Sequence, residues 1–353
     1  MKARAKWLVL GWALVASVAS AAVRWSEVNR QPDDWYAGAE ARAIATSVLA
    51  YQTEQGAWPK NTDMTQPPSA AFLSDGRFDH RASTIDNGGT TTQLQFLARF
   101  IQATNDAEAR RAFDRGIDYL LRAQYESGGW PQYFPLIKGY YTHITYNDNA
   151  MINVMLLLDA VAQGKKPMGF VAADVRARAA TAVSKGIACI LRTQVKQDGK
   201  LTAWCAQHDE TTFEPAWARN FEPPTLSGSE SVGILRFLMS IERPSPEVVT
   251  AVHAGVAWLR SVAITGLRME STKTPEGKND RRAVADANAP LIWARFYELG
   301  TNRPVYTGRD KVIRYSVNEI EAERRNGYAY LGDWPATLLA KDYPRWSARH
   351  PQP

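Results

Sequence analysis

The sequence contains few of the residues and motifs on which several common classes of site depend. Only two of its 353 residues are cysteine, Cys189 and Cys205, so a framework of disulfides is excluded, although one bond between them stays open. The five histidines show no spacing typical of metal ligands. A GxSxG motif, a P-loop, a CxxC pair and a dinucleotide-binding fingerprint are all lacking. The sequence therefore gives no support for a serine or cysteine nucleophile.

Long apolar runs are also scarce, and the one candidate lies at the N-terminus. Three basic residues lead into an apolar segment, residues 7–18, and residues 19–21 read Ala-Ser-Ala, a typical cleavage site. The apolar segment is short for a membrane span, although an uncleaved anchor is the alternative. We predict that residues 1–22 are a signal peptide and that residues 23–353 form one exported domain.

The charge of the chain indicates the kind of partner. The formal net charge is +6 and the pI is about 9.2, and the basic residues are not gathered into a tail or a basic helix. Basic proteins bind nucleic acid, anionic lipid or acidic polymers. Because an exported protein rarely meets nucleic acid, we expect an acidic extracellular polysaccharide as the partner.

Internal repeats are the main evidence for the fold. Segments that start with Gly116, Gly186 and Gly255 lie 70 and 69 residues apart, and each continues with apolar residues. Gln52 and Gln124 precede the similar turns QGAWP and SGGWP. The turn of the third unit matches this pattern less closely. The sequence therefore contains a repeated unit of about 70 residues.

Short polar stretches alternate with these turns. Each one leads into an apolar segment with helical spacing, and the last of these apolar segments reads APLIWARFYEL. The polar stretches begin at Ser83, Thr145, Thr225 and Asp286. The unit is therefore a helix, a Gly/Trp/Pro turn and a second helix with a polar cap.

This unit predicts a mainly all-α fold. Alternation with a period of two is scarce, so we expect only short strands, in the connections 133–145 and 201–219. About three and a half units are few for an open solenoid. We therefore predict a closed α/α toroid of about three helical hairpins, in which the polar caps meet at one mouth.

Two acidic residues stand out in the caps. Asp86 and Asp148 are each followed by asparagine, Asn87 and Asn149, and we interpret them as matching positions of successive repeats. Carboxylate and amide oxygens at a helix entrance suit Ca²⁺. Two carboxylates can also act as acid and base in glycoside hydrolysis. Ordinary helix caps that happen to repeat are a third interpretation.

Several arginines form a second group of candidates. The guanidinium group binds carboxylates through two parallel hydrogen bonds, so converging arginines would bind a polyanion with regularly spaced carboxylates. Each arginine alone could instead be solvated or paired with a nearby acid such as Glu323. The candidates are Arg219, Arg295 on the fourth predicted capped helix, Arg309 and Arg324.

Six longer segments resemble one known family. In chain order they are STIDNGGTTTQLQFL, GGWPQYFP, YNDNAMINVMLLL, CAQHD, ARNFEPPTLSGSES and RFYELGTNRPVYTGRDKVIRYSVNEIEAERRNGYAYLGDWP. They are similar to the family-ten polysaccharide lyases, which are pectate lyases, and the resemblance covers essentially all of residues 23–353. It implies an α/α toroid with Ca²⁺ as cofactor. It also implies cleavage of de-esterified polygalacturonate (pectate) by β-elimination, a step of pectin catabolism.

The resemblance also implies roles for individual residues. By motif, Asp86, Asn87 and Asp148 are implied to line the metal site, and Arg309 of TGRD is implied to be the catalytic base. The implied substrate-binding residues are Arg219, Arg295, Arg324 and Asn149.

The implied mechanism is chemically consistent with these residue types. Ca²⁺ and arginines bound to a uronate carboxylate would stabilise the charge that develops when the C5 proton is removed. Free arginine is protonated up to a pKa of about 12.5–13.8. We therefore expect Arg295, Arg324 and Ca²⁺ to lower the pKa of Arg309, and we expect activity to be highest at alkaline pH.

Two other functions stay open at this point. One is a glycoside hydrolase that acts on an acidic polysaccharide through Asp86 and Asp148, and the other is a polyuronate-binding protein without activity. We further expect a secreted or periplasmic monomer. It would have no nucleic-acid partner, and no membrane partner once the signal peptide is removed.

Overall fold

The computed structural model describes residues 23–75, 81–274 and 276–352, so the predicted signal peptide lies outside the described residues. The α-helices of the described ranges are α1 (Ala39–Ala50), α2 (Ala70–Ser74), α3 (Thr91–Thr104), α4 (Ala107–Ala123), α5 (Ala150–Gln163), α6 (Ala173–Thr193), α7 (Glu230–Ser240), α8 (Pro246–Ser261), α9 (Ala322–Gly327) and α10 (Tyr343–Ser347). No helix in these ranges is both long and apolar enough to cross a bilayer.

Three helical hairpins form the body of the molecule. They are α3–α4, α5–α6 and α7–α8. The first helices of successive hairpins pack side by side, and so do the second helices, with α1 ahead of them. These two layers form the predicted α/α toroid.

Buried tryptophans show that the repeats in sequence are repeats in structure. Each indole N–H donates a hydrogen bond to a carbonyl near the end of the preceding long helix, which satisfies an acceptor that the helix itself leaves free. The four bonds join Trp58 to Val48, Trp130 to Leu120, Trp204 to Ile190 and Trp293 to Leu259, at 2.7, 2.8, 2.8 and 2.7 Å. The tryptophans of the three predicted turns therefore close their helices in the same way, and Trp293 on the later segment 289–299 repeats this contact.

The repeated glutamines join one repeat to the next. Each side-chain Nε2 donates to a carbonyl of its own turn and to a carbonyl of the next repeat's second helix. The bonds run from Gln52 to Gly56 (2.9 Å) and Ala112 (2.8 Å), from Gln124 to Gly128 (3.0 Å) and Ala182 (2.9 Å), and from Gln194 to Thr202 (2.9 Å) and Ala251 (3.0 Å). The repeat spacing is thus fixed by polar contacts as well as by packing.

The repeated glycines allow the two helices of a hairpin to pack closely. A Cβ atom at Gly116 would lie 2.6 Å from Leu94 Cδ2, and one at Gly186 would lie 2.2 Å from Met155 Sδ. The third glycine, Gly255, has the same relation to the first helix of its own hairpin. An added Cβ would displace the ends of these side chains, so glycine lets the two helices pack closely without moving them.

Short strands occupy the connections. They are β1 (Ile144–Thr145), β2 (Lys196–Gln197), β3 (Lys200–Leu201), β4 (Gln207–His208), β5 (Leu226–Ser227), β6 (Leu267–Lys273), β7 (Asn279–Ala285), β8 (Trp293–Ala294), β9 (Phe296–Tyr297), β10 (Tyr306–Thr307), β11 (Ile313–Arg314) and β12 (Leu331–Gly332). The antiparallel pairs are β1–β4, β2–β3, β5–β9, β6–β7, β8–β12 and β10–β11. Strands in the two predicted connections are thereby confirmed.

The hairpin β6–β7 was not predicted from the sequence. Its strands have seven residues each and are the longest in the described part of the chain. Most of their side chains are exposed or only partly buried. Because neither face is fully buried, the strands lack the alternation of apolar and polar residues that would reveal them.

The predicted fourth capped helix is wrong. Residues 289–299 contain β8 and β9 instead, and Arg295 lies between these two strands. The backbone N–H of Arg295 donates to Tyr330 (2.8 Å), and its carbonyl accepts from Gly228 (3.2 Å). These distant partners take the backbone groups that a helix would pair internally, so tertiary pairing overrides the helical spacing.

The two cysteines are not bonded to each other. Cys189 and Cys205 are both free and buried. Burial raises the pKa of the Cys189 thiol to about 12 and also raises that of Cys205. Both side chains therefore belong to the packed interior as neutral thiols.

Candidate functional site

The entrances of α3, α5 and α7 meet at one place, as the repeat pattern predicted. Two short 3₁₀ turns, Asp86–Gly88 before α3 and Asn147–Asn149 before α5, pack against each other, and the second also packs on α7. The Asp148 carboxylate is close enough to those of Asp86 and Glu230 that their negative charges raise its pKa. Three acidic side chains from three repeats therefore face one another.

The matching of the first two caps was off by one residue. The left-handed residue is Asn87 (φ +48°) in the first 3₁₀ turn and Asp148 (φ +50°) in the second. Each is preceded by a buried residue, Asp86 in one case and Asn147 in the other. Asp86 thus corresponds to Asn147, and Asn87 to Asp148. The sequence did not reveal this shift, because both turns contain Asp followed by Asn and either residue tolerates the left-handed conformation.

Asp86 is a buried carboxylate with an unsatisfied oxygen. Only 5% of the residue is exposed, and one of its oxygens, Oδ2, pairs with the Lys60 ammonium group. No described residue donates a hydrogen bond to its Oδ1. Burial lowers the pKa of Lys60, but the adjacent Asp86 more than offsets this and the net shift is upward. Lys60 was not selected from the sequence, although it directly follows the QGAWP turn.

Asp148 lies at the more open side of the same group. Its side chain is 39% exposed and contacts Arg295 at 3.3 Å, and Asn147 donates to it at 3.0 Å. Burial raises its pKa, Arg295 opposes this, and the negative charges of Glu230 and Asp86 add to the increase. A further cation beside Asp148 would relieve this crowding of carboxylates.

Glu230, the first residue of α7, is a site residue that sequence reasoning missed. It is 3% exposed and pairs with Arg295, while its other oxygen contacts the Ser227 hydroxyl. In the sequence, only its place at the end of the third polar cap indicated it. Such a buried pair is strongly destabilised when one partner is removed.

The two asparagines lie beside this acidic group. Asn87 is exposed and donates to Asn61 Oδ1 at 3.2 Å. Asn149 is also exposed and lies against α7. A Cβ atom at Gly233 would come 2.0 Å from Asn149 Oδ1, so glycine leaves the space that Asn149 occupies.

The structure brings the four predicted arginines together around two aromatic rings. Phe221 and Tyr328 are in edge contact, with centroids 5.3 Å apart. The guanidinium carbons of Arg219, Arg309 and Arg324 lie 4.8, 5.9 and 4.6 Å from the Phe221 centroid, and those of Arg295 and Arg219 lie 4.8 and 5.7 Å from that of Tyr328. Cation–π contacts of this kind hold guanidinium groups in place.

Each of these arginines also has a carboxylate partner. Arg219 forms two bonds with Glu222, of 2.8 and 2.5 Å. Arg309 forms two with Glu323, of 3.0 and 2.9 Å, and Arg324 shares that carboxylate. The Arg309 side chain is 61% exposed, whereas the side chains of Arg295 and Arg324 are 11% and 10% exposed. Arg309 is therefore the arginine most open to a ligand.

The expected lowering of the Arg309 pKa is not found. The hydrogen bonds and charge of Glu323 raise the pKa of Arg309 instead. Hydrogen bonds from Arg324 and Arg309 in turn lower the pKa of Glu323 to about 2. Glu323 is the largest cause of this shift, and its carboxylate lies 2.9 Å from the Arg309 guanidinium group.

The charges of the site balance. We call the following side chains the central cluster: Lys60, Arg219, Arg295, Arg309, Arg324, Asp86, Asp148, Glu222, Glu230 and Glu323. Its five cations and five carboxylates give a formal charge of zero. Oxygen donors that include an unpartnered carboxylate oxygen suit a hard divalent cation such as Ca²⁺. With one such ion the central cluster would carry a charge of +2 and would attract a polyanion.

A second group of metal-type ligands lies at the end of the β1–β4 pair. Ligand atoms of His143, Asp209 and Glu210 lie within 4.8 Å of one another, and His143 Nδ1 is 3.1 Å from Glu210. The sequence did not reveal this group because strand pairing, rather than spacing along the chain, brings the residues together.

Comparison with known proteins agrees with this geometry. Residues 52–339 match the sequence family described as pectic acid lyase. The chain is 34% identical to a family 10 polysaccharide lyase from Cellvibrio cellulosa, with a TM-score of 0.75 over 91% of this chain and 95% of that one. A mutant of a family 10 lyase from that organism, in complex with trigalacturonic acid, gives 34% identity and a TM-score of 0.74 over 92% and 98%. No curated protein matches the chain.

Proposed function

The chain belongs to the pectic acid lyase family, and from that premise we propose that it cleaves de-esterified polygalacturonate by Ca²⁺-dependent β-elimination, with Arg309 as the base. The solved relative that binds trigalacturonic acid supports this choice of substrate. The proposal includes export, which rests on residues 1–22 of the sequence alone. Secretion to the periplasm or the medium would bring the enzyme to a polymer too large to enter a cell.

The single observation that supports the proposal most strongly is the position of Arg309. It shares the Phe221 ring with Arg219 and Arg324, and Arg219 also contacts the Tyr328 ring and acts on the charge of Asp148. A uronate whose carboxylate is bound by Arg219 or Arg324 would therefore place its ring beside the exposed Arg309 guanidinium group. An arginine site built for carboxylates is not expected in an enzyme for neutral sugars.

Ca²⁺ fits the acidic side of the central cluster. Asp86 and Asp148 would hold it through carboxylate oxygens, with Asn87 nearby as an amide ligand. When bound, the ion would withdraw electron density from the substrate carboxylate and so make the C5 proton more acidic. Glu230 would keep Arg295 in place beside this carboxylate.

The chain's own residues supply the remaining steps. Arg295 and Arg219 would orient the uronate through its carboxylate and stabilise the negative charge that forms as the C5–H bond breaks. Arg309 would accept that proton. The electron pair then forms the C4–C5 double bond as the C4–O bond breaks, and the departing glycosidic oxygen takes a proton from solvent, to which Arg309 later releases the proton that it accepted. No water is added, and the new non-reducing end is an unsaturated uronide.

The raised pKa of Arg309 has a consequence for the pH at which this works. A base must be neutral before it accepts a proton, and the pair with Glu323 stabilises the protonated form. The neutral fraction therefore grows as the pH rises, so the rate should increase toward alkaline pH. Substrate binding that moves Glu323 away from Arg309 would also favour neutral Arg309.

The test is the ultraviolet absorbance of the unsaturated product during incubation with polygalacturonate at alkaline pH. We expect a rising signal for the wild type, its loss with EDTA and its return with added Ca²⁺. Arg309→Ala should lower the rate by roughly 10²–10⁴-fold, whereas Arg111→Ala, an exposed arginine on α4, should leave it unchanged. Full activity of Arg309→Ala would contradict its role as the base, and full activity after EDTA would contradict the role of the metal.

A further inference from the structure

A cavity next to the central cluster is not used by the proposed mechanism. It has a volume of about 570 Å³, within the range of roughly 300–1,000 Å³ typical of ligand sites. Three segments line it: residues 24–29, the turn 59–63, and residues 87–93 at the entrance of α3. Lys60 and Asn87 border both the cavity and Asp86. The cavity is thus continuous with the place where cleavage is proposed.

The chemistry of the lining suits an anionic sugar. Arg24 forms no ion pair with any residue that the structure describes, whereas Lys60, the other lining cation, is already paired with Asp86. Arg24 is also exposed. The cavity therefore contains one arginine that is ready to bind a carboxylate.

Two amide side chains add acceptors that lack donors. Asn29 Oδ1 and Gln93 Oε1 are buried, and within the described ranges no group donates a hydrogen bond to either oxygen. Gln93 is only 2% exposed, and its Nε2 contacts Met64 Sδ at 3.5 Å. Buried acceptors of this kind are costly unless a donor reaches them. Both residues line the cavity, so a rearrangement of these side chains on ligand binding would let a sugar hydroxyl reach their oxygens.

An aromatic ring completes the lining. Trp25 is partly buried and packs against Phe96, with ring centroids 6.3 Å apart. The remaining surface of a fixed aromatic ring can pack against the apolar face of a pyranose. Asp63 is the one acidic residue of the lining, and its Oδ1 accepts bonds from the Thr65 N–H (2.9 Å) and hydroxyl (2.7 Å). Because Lys60 is paired with Asp86, the remaining charges of the lining are Arg24 and Asp63, and Arg24 is the lining cation without a charged partner among the described residues.

We propose that this cavity is a distal subsite, which binds a galacturonate residue of the same polysaccharide chain away from the bond that is cleaved. The inference rests on the proposed function. Arg24 binds the carboxylate of this residue, and Trp25 packs on its ring. The subsite lies beyond Asn87, so only chains that extend past Asp86 reach it. Longer substrates are therefore bound more tightly than the shortest ones.

The test compares kcat/KM for oligogalacturonates of increasing length between the wild type and Arg24→Ala. The loss of a charged hydrogen bond should lower kcat/KM by roughly ten- to a hundredfold for long substrates and for the polymer. The shortest substrate that is cleaved should be unaffected. Arg30→Ala is the matched control, since Arg30 ends the 3₁₀ helix Trp25–Arg30 that directly follows Arg24, lies outside the cavity and pairs with Glu27. Trp25→Phe should give a smaller loss with the same dependence on length.

An equal loss at every length, or no loss at any length, would overturn the distal subsite. Failure of the proposed function would be distinct, because the wild type itself would then form no unsaturated product. In that case calorimetric binding of the same oligomers decides the question. Tighter binding of long oligomers that disappears in Arg24→Ala would support the subsite, and equal binding by both proteins would refute it.

Discussion

At the level of single residues, Glu323 bears most directly on how Arg309 works. Its carboxylate forms two hydrogen bonds with Arg309 and raises the Arg309 pKa. In Glu323→Gln the charge is removed, so the pKa of Arg309 should fall and its neutral form should appear at lower pH. We therefore predict that the rise of kcat/KM with pH moves to lower pH in this variant.

The measurement is a pH profile of kcat/KM with polygalacturonate at saturating Ca²⁺. Glu319→Gln is the control, because Glu319 is exposed and makes no hydrogen bond or ion pair with Arg309. An unchanged profile in Glu323→Gln, or a shift to higher pH, would show that neutral Arg309 does not limit the reaction.

Much of the site was predictable at the residue scale, but its pairing was not. The TIDN, YNDN and TGRD motifs identified Asp86, Asp148 and Arg309 as neighbours of one site. Glu323 was named as a possible arginine partner, but Glu222 and Glu230 were missed, since they look like ordinary loop and cap residues. Glu323 also raises the pKa of Arg309, an effect that the motifs did not indicate. Burial and close contacts set a pKa, and neither is visible in a motif.

Among the structural elements, the glutamine links between repeats offer a clear test of repeat architecture. Gln124 Nε2 donates to Gly128 in its own turn and to Ala182 on α6. Gln124→Leu leaves both carbonyls without this donor, so we predict a loss of about 1–3 kcal/mol in the free energy of unfolding. Chemical denaturation measures it.

The control for this variant is Gln163→Leu. Gln163 is at the end of α5 and donates only to the nearby Asp159. A change within about 0.5 kcal/mol is expected there, as for other surface substitutions. If Gln124→Leu were equally mild, the link between repeats would contribute little to stability.

A buried histidine in the β1–β4 pair should make the stability of the protein depend on pH. His208 on β4 is fully buried; its Nε2 accepts from the Cys205 N–H (3.0 Å) and its Nδ1 faces the Phe213 carbonyl (2.8 Å). Burial lowers its pKa from 6.5 to about 4. The unfolded chain then binds a proton at a higher pH than the folded chain does. Stability is therefore full above pH 6.5 and falls as the pH drops toward 4, by roughly 3 kcal/mol.

Urea unfolding of the wild type and of His208→Gln at about pH 7 and about pH 4.5 checks this expectation. The variant should be less stable at the higher pH, but its stability should fall less on acidification. An equal fall in both proteins would assign the pH dependence to other groups.

Helices were easier to predict than strands in this chain, for a physical reason. The core helices carry their own hydrogen bonds and show apolar spacing along one segment, as in α3 and α5. The strands β8 and β9 depend on partners far away in the chain, such as Tyr330 for Arg295. The segment 289–299 looked helical because local spacing contains no record of those partners.

For the whole molecule, the toroid explains why residues far apart in sequence form one site. The repeats place the entrances of α3, α5 and α7 at the same mouth, and the loops around Phe221 and Tyr328 add the arginines. The central cluster that results has no net charge by itself. Its affinity for a polyanion should therefore depend on the divalent cation, which makes metal binding and substrate binding mutually dependent.

The central claim is that this site cleaves polygalacturonate by elimination and not by hydrolysis. Mass spectrometry of the products formed from a purified oligogalacturonate tests it most directly. Elimination adds no water, so the two product masses together equal the substrate mass, and the new non-reducing end lacks one water relative to a saturated uronide. We predict this result, and we predict that Arg309→Ala forms these products roughly 10²–10⁴-fold more slowly. Products whose masses together exceed the substrate mass by one water would show hydrolysis and would rule out β-elimination.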